Sequence, residues 1–325
     1  MNSKFNYVAP KWLPGGNAQT IYPYFLNPSP QVTFQRERWE LDDGDFVDVD
    51  WLEGPLDKPL VVMFHGLEGS SRSHYALSIM NQLREQNWRG AVIHFRGCSG
   101  QPNRLPRAYH AGDSMEIDWM LHRVAHQYEL QKSGIPLYVI GISLGGNALL
   151  KWLGEQSEQA SKLITAAAAV SAPLDLAAAG KALDSLGFNQ FYTRHFLNSL
   201  KHKALEKHKR FPGLLNVQAV AASVTLYEFD NHVTAPLHGF RNTDEYWSKC
   251  SSKPWLQHIQ TPTLVINARN DPFMPAHVLP VREKVSSMVR LEFPEQGGHV
   301  GFMQGTFPGQ LSWLPQRIFS FFKSV

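Results

Sequence analysis

Short apolar runs rich in branched residues recur along the chain, at 60–64, 91–95, 137–140, 164–170, 263–267 and 289–293. Most are continuous rather than alternating, as in central strands buried on both faces. Helical periodicity at 75–86 and 113–126 separates them, and 311–322 reads as a closing helix. This βα alternation predicts an α/β fold with a mostly parallel, doubly wound sheet. Nearer the amino-terminal end the pattern changes. Val47, Val49 and Trp51 alternate with Asp48 and Asp50, which predicts a half-exposed antiparallel edge strand, with 32–40 as its partner. From 175 to 260 no core strand appears, and a structureless loop of that length is improbable, so the interval is expected to be a helical lid inserted into one domain spanning 1–325.

The run at 137–140 leads into Gly141-Ile142-Ser143-Leu144-Gly145, a G-x-S-x-G turn followed by a helix-like stretch at 147–154. Strand before and helix after are the context in which this pattern lifts a serine hydroxyl above a sheet, with glycines allowing the flanking backbone to come close. A serine needs a base to take its proton and a carboxylate to orient that base. Asp271 follows the run at 263–267, and His299 follows the run at 289–293 on a glycine-rich loop. Both therefore fall at carboxyl ends of strands, where ligands bind in open α/β sheets, and the chain order is Ser, Asp, His. The first central run ends in His65-Gly66-Leu67, a turn that aims the Leu67 N–H at the same point as the Leu144 N–H, a candidate oxyanion hole. Asp175 is the rival candidate for the acid.

Composition adds exclusions. With 43% hydrophobic and 18% charged residues among 325, the chain buries a large core and is no disordered polymer. The 31 basic and 28 acidic residues leave a net charge of +3, no basis for nucleic-acid binding. Cys98 and Cys250 are too few and too far apart for a disulfide framework, which fits a reducing compartment. The opening residues, 1–6, lack an apolar leader core, and no apolar stretch approaches the roughly 18 residues that span a bilayer. A cytoplasmic protein without stable membrane insertion is expected.

Motifs along nearly the whole chain resemble the α/β-hydrolase-4 (YheT-like) family of α/β-hydrolases. They are Leu13-Pro14-Gly15-Gly16-Asn17-Ala18-Gln19-Thr20-Ile21, His65-Gly66-Leu67-Glu68-Gly69, Phe95-Arg96-Gly97-Cys98-Ser99, Gly141 through Asn147, Asn270-Asp271-Pro272-Phe273 and Gly297-Gly298-His299-Val300-Gly301. One departure is Gly16-Asn17-Ala18, where the family pattern has a Gly-His pair. The resemblance implies a Ser143, Asp271, His299 charge relay and carboxylic-ester hydrolysis. The expected activity is that of a serine esterase on short- to medium-chain or lipid-like acyl esters, with no cofactor or metal. An acyltransferase with the same residues, or a non-catalytic binding protein of this fold, are the other readings. The role of the stretch 13–21 and the oligomeric state stay open.

Other signals are weaker. His122 and His126 share a helix face, but no third ligand is evident, so a surface pair is favoured over zinc. The basic stretch Lys201-His202-Lys203-Ala204-Leu205-Glu206-Lys207-His208-Lys209-Arg210 reads as a solvated lid face, with transient lipid contact as the alternative. The aromatics of the interval, among them Phe191, Phe196, Phe229 and Trp247, read as lid packing first and acyl pocket second. Arg96-Gly97-Cys98 reads as a structural turn.

Overall fold

A computed structural model of the chain describes residues 6–26 and 29–325; residues 1–5, read above for a leader, lie outside them. The strands are β1 (Gln35–Glu40), β2 (Phe46–Leu52), β3 (Leu60–Phe64), β4 (Arg89–Ile93), β5 (Leu137–Ile142), β6 (Ala166–Val170), β7 (Thr263–Ile266) and β8 (Val289–Glu292). They form one sheet in the order β1-β2-β4-β3-β5-β6-β7-β8. The β1–β2 and β2–β4 pairs are antiparallel and all others parallel, the arrangement the sequence pattern predicts. The longer helices are α1 (Gly16–Phe25), α2 (His74–Glu85), α3 (Ser114–Gln127), α4 (Leu144–Gln156), α5 (Leu176–Leu183), α6 (Asn189–Arg210), α7 (Thr243–Cys250) and α8 (Trp313–Phe322).

The central strands are apolar throughout because each face has its own core. Val62, Phe64, Ala91, Ile93 and Val139 pack with Ile117 and Leu121 of α3 and Trp152 of α4. Val61, Met63, Val92 and Ile140 pack with Ile79 and Leu83 of α2 and Ile318 and Phe322 of α8. The chain builds β3 and β4, then returns to lay β5 on the other side of β3. The carboxyl ends of β3 and β5 therefore flank a topological switch point, the crevice in which doubly wound sheets place ligands.

Between β6 and β7 the described chain is helical. It holds α5, α6, α7 and shorter turns, with a small core of Leu183, Tyr192, Leu197, Leu215, Val220, Phe229 and Val233 that also takes in Phe273 from beyond β7. Among the described residues, no helix is long and apolar enough to cross a membrane. Cys98 and Cys250 are free thiols and both are buried.

The antiparallel edge departs from expectation. Asp48 and Asp50 are not on a solvated face: they are 1% and 2% exposed. The β1–β2 register sets Arg38 opposite Asp48 and Arg36 opposite Asp50. Both arginines reach across with paired bonds, at 2.8 and 3.0 Å to Asp48 and 2.7 and 2.9 Å to Asp50. The loop after β4 then closes over this face, Ser99 Oγ donating to Asp48 at 2.6 Å, while Ser71 donates to Asp50.

Burial pushes both carboxyls up, but the hydrogen bonds from arginine and serine outweigh it, so both end below the usual carboxylate range. With the folded value depressed, the unfolded chain binds more protons as pH falls, and this stabilisation is present above the unfolded value near about 3.9 and lost below it. Asp48→Asn should accordingly lower the melting temperature near neutral pH, and its gap to the unmodified chain should narrow below about pH 4 in a pH series of thermal melts.

Candidate active site

The turn from β5 into α4 is tight. Ser143 has φ 51° and ψ −120°, a strained conformation for a residue with a side chain. It is held by its own N–H to Val170 O at 2.8 Å and by close packing on both sides. A Cβ on Gly145 would stand 2.5 Å from His65 O and 2.6 Å from Phe64 O. Only glycine lets α4 start this close to β3, and the strain leaves the Ser143 hydroxyl at the sheet's carboxyl edge.

Asp271 and His299, 128 and 156 residues further along, arrive at the same edge on the loops after β7 and β8. His299 Nε2 lies 2.9 Å from Ser143 Oγ, and His299 Nδ1 lies 2.9 Å from Asp271 Oδ2. The Asp271 side chain is fully buried and its other oxygen accepts the Phe273 N–H at 2.8 Å. An acceptor fixed at Nδ1 selects the tautomer protonated there, leaving the Nε2 lone pair directed at the serine hydroxyl. Phe273 covers the imidazole, ring centroids 4.1 Å apart.

The turn after β3 faces this array, a Cβ on Gly66 being 3.1 Å from Ser143 Cβ. Tyr75 Oη accepts the Gly66 N–H and Tyr109 Oη accepts the Glu68 N–H, each at 2.9 Å. These bonds bracket Leu67, whose N–H lies between two anchored neighbours. His65 is locked at both ring nitrogens: Nδ1 donates to Gly66 O at 2.7 Å and Nε2 accepts the Phe95 N–H at 3.1 Å. Burial pushes His65 down to about 3, so it is neutral and structural. Leu144 opens α4, where the N–H has no carbonyl one turn back to bond. Ser143, His299, Leu67 and Leu144 all line one cavity of about 760 Å³, together with Leu176, Leu183, Phe191, Phe196, Phe229 and Trp247.

The family described as alpha/beta hydrolase fold matches residues 59–306. The chain belongs to that family. It is 37% identical, over 98% of its length and 93% of the relative's, to the Escherichia coli K12 protein named "Putative esterase YheT". It is 27% identical to mouse "Phospholipase ABHD3", across 97% of this chain and 77% of that one. Among solved structures, the Pyrococcus furiosus esterase Pf2001 superposes with a TM-score of 0.56 at 16% identity, covering 92% of this chain and 99% of that one, a likeness of fold.

Within this α/β-hydrolase frame the remaining candidates separate. Asp175 does not approach His299; it caps α5, accepting the Ala178 N–H at 3.1 Å. His122 is exposed and bonds Asp118 O one turn back at 2.9 Å. Among the described residues, no cluster of histidine, cysteine and carboxylate side chains has the arrangement of a metal site. Burial pushes the Cys98 thiol up to about 12, against thiolate chemistry.

The basic stretch is solvated only in part: His202, Lys209 and Arg210 are exposed, whereas Lys203 and Lys207 are half-buried. Lys203 Nζ pairs with Glu68 at 2.9 Å, and Lys207 Nζ donates to Asn103 Oδ1, Leu105 O and Arg107 O at 2.8, 2.8 and 3.1 Å. Backbone carbonyls in the 103–107 loop are outside the sheet ladder, and α6 supplies their donors. Glu68 also accepts from Tyr109 and Ser199, so α6 is tied directly to the turn that carries Leu67. Nothing in the local pattern marks Ser171 as a partner of the His299 loop, and Asn270 carries a signal only as part of the motif 270–273. Gln19 and Thr20 carry a signal only as part of the stretch 13–21.

The packing at the elbow has a direct test. Gly145→Ala should cost about 1–3 kcal/mol in denaturant unfolding, because the contacted atoms are backbone carbonyls with nowhere to move.

Proposed function

We propose that the protein is a serine-dependent carboxylic-ester hydrolase that works through an acyl-enzyme. The observation that carries this reading is the unbroken chain from Asp271 Oδ2 through His299 to Ser143 Oγ, both links 2.9 Å, opening into an apolar cavity. Ser143 Oγ attacks the acyl carbonyl while His299 Nε2 takes its proton. Asp271 keeps the imidazole in register and stabilises its charged form. The developing oxyanion sits at the Leu67 and Leu144 N–H groups, donors whose loss in comparable sites costs about 3–4 kcal/mol each. Collapse of the tetrahedral adduct breaks the ester C–O bond, and His299 returns the proton to the leaving alcohol. Water then attacks the acyl-enzyme by the same route in reverse.

The helical interval 175–260 acts as the lid of this single domain and supplies most of the apolar wall. The cations nearest the cavity are matched within the protein: Lys203 by Glu68, Lys207 by loop oxygens, and Arg96 by Asp43, Asp45 and Glu116. A cavity walled by leucine, valine and phenylalanine, with its cations matched, favours an uncharged acyl chain, short to medium or lipid-like. The names of the relatives, esterase and phospholipase, fit ester substrates. Two buried free thiols fit a reducing compartment such as the cytoplasm.

Ser143→Ala should reduce turnover of p-nitrophenyl acyl esters by at least about 10⁴-fold and abolish labelling by a fluorophosphonate probe. Turnover and labelling close to those of the unmodified chain would overturn the assignment. A panel of acyl-chain lengths, run with and without an added alcohol, separates hydrolysis from acyl transfer by the products formed.

A further inference from the structure

The loop that carries His299 is held in conformations that side chains disfavour. Gly297, Gly298, Val300 and Phe302 all have positive φ, at 145°, 59°, 57° and 46°. For a β-branched valine this is a genuine outlier, and such strain persists only where the surroundings over-determine it. What over-determines it is a row of side-chain acceptors. Four consecutive backbone N–H groups each donate to a different side chain: Gly297 to Gln19 Oε1 at 2.9 Å, Gly298 to Asn270 Oδ1 at 3.0 Å, His299 to Thr20 Oγ1 at 2.9 Å and Val300 to Ser171 Oγ at 3.1 Å.

Two of the four come from α1, in the stretch 13–21 whose role the sequence left open. Gln19 is fully buried. Its Oε1 also accepts from Asn270 Nδ2 at 3.0 Å, so a single amide oxygen joins the loop before Asp271 to the loop before His299. Its Nε2 donates to Leu13 O at 2.9 Å, which orients the amide. Thr20 donates its own hydroxyl proton to Gly16 O at 2.7 Å, leaving a lone pair for the His299 N–H. The helix meets both loops backbone to backbone: a Cβ on Gly16 would stand 1.9 Å from Asn270 O, and one on Gly301 2.0 Å from Gln19 O.

We infer that α1 is a clasp on the catalytic loops, with Gln19 and Thr20 as positioning residues that hold His299 at its distance from both Ser143 and Asp271. This rests on the ester-hydrolase reading above. Thr20 lines the cavity, but its hydroxyl is committed to Gly16 O and the His299 N–H, and Gln19 is fully buried, so loss of these bonds acts through His299 and belongs in the chemical step. Misplacement of a reacting group by about 1 Å is enough to cost on the order of 100-fold.

The test compares Thr20→Val, Thr20→Ser, Gln19→Met and Ser143→Ala with the unmodified chain on a p-nitrophenyl ester. Rates of the Thr20 and Gln19 variants and of the unmodified chain are expressed per active site counted by end-point fluorophosphonate titration, so that misfolded protein lowers the count and not the rate per site, and the rate of Ser143→Ala is expressed per total protein. For Thr20→Val and Gln19→Met, kcat per titrated site should fall about 10- to 100-fold while KM stays within about threefold. Thr20→Ser, which keeps the acceptor, should recover most of kcat. The clasp is overturned if Thr20→Val and Gln19→Met keep kcat within about twofold, if KM moves as much as kcat, or if Thr20→Ser is as impaired as Thr20→Val. Full turnover in Ser143→Ala would instead overturn the ester-hydrolase reading itself.

Discussion

Gly145 sits against the carbonyls of Phe64 and His65 with no room for a methyl group, and the rest of the site is arranged around that contact. It is available because β3 and β5 are parallel neighbours with Phe64 opposite Gly141, so the two strands end at the same height. Forcing α4 to begin there bends the chain through Ser143 at φ 51°. The same step places the first free N–H of α4 beside the turn after β3, where the dipole and unpaired donors of a helix start favour negative charge. Parallel pairing then carries the geometry outward, because β7 and β8 deliver their own carboxyl ends, with Asp271 and His299, to the same edge.

Electrostatics divides the molecule into two regimes. At the antiparallel edge, aspartates are buried against arginines and hydroxyls that satisfy their oxygens, the condition under which a buried carboxylate is tolerated. Along the cavity wall, Lys203 of α6 pairs with Glu68 and Lys207 binds loop carbonyls. Both arrangements keep charge matched within the protein. They also couple distant parts, since Glu68 follows directly on the turn residue Leu67 and accepts from the helical interval through Ser199 and Lys203.

Strain is concentrated where chemistry is proposed. Ser143, Val300 and Phe302 hold positive φ, and Ser143 and Val300 are restrained by bonds from segments outside their own loops. Ser143 is tied to β6, and the His299 loop to α1 and to residues that follow β6 and β7. An imidazole presented on such a loop is positioned by many weak constraints acting together, which is how a flexible backbone holds a side chain to within a fraction of an ångström.

Amino-acid order alone was enough for the sheet and for the three side chains that meet at its carboxyl edge, Ser143, Asp271 and His299. Strands covered on both faces leave continuous apolar runs, and a nucleophile elbow requires glycines at set offsets between a strand and a helix. Asp271 and His299 were legible because each follows such a run directly. The alternation at 46–52 was misleading, since it reports that two faces differ in chemistry and not whether a loop covers the polar one. The inward turn of Lys203 and Lys207 was equally hidden, because Glu68, the partner of Lys203, lies 135 residues away and two partners of Lys207 are backbone carbonyls, which carry no residue identity. Gln19 and Thr20 lie 278 and 279 residues from the N–H groups they hold. Contacts of that span form only once the parallel sheet has brought its strand ends together and α1 has closed over them. Local spacing therefore named the groups that meet at the site, and tertiary packing decided what keeps them in place.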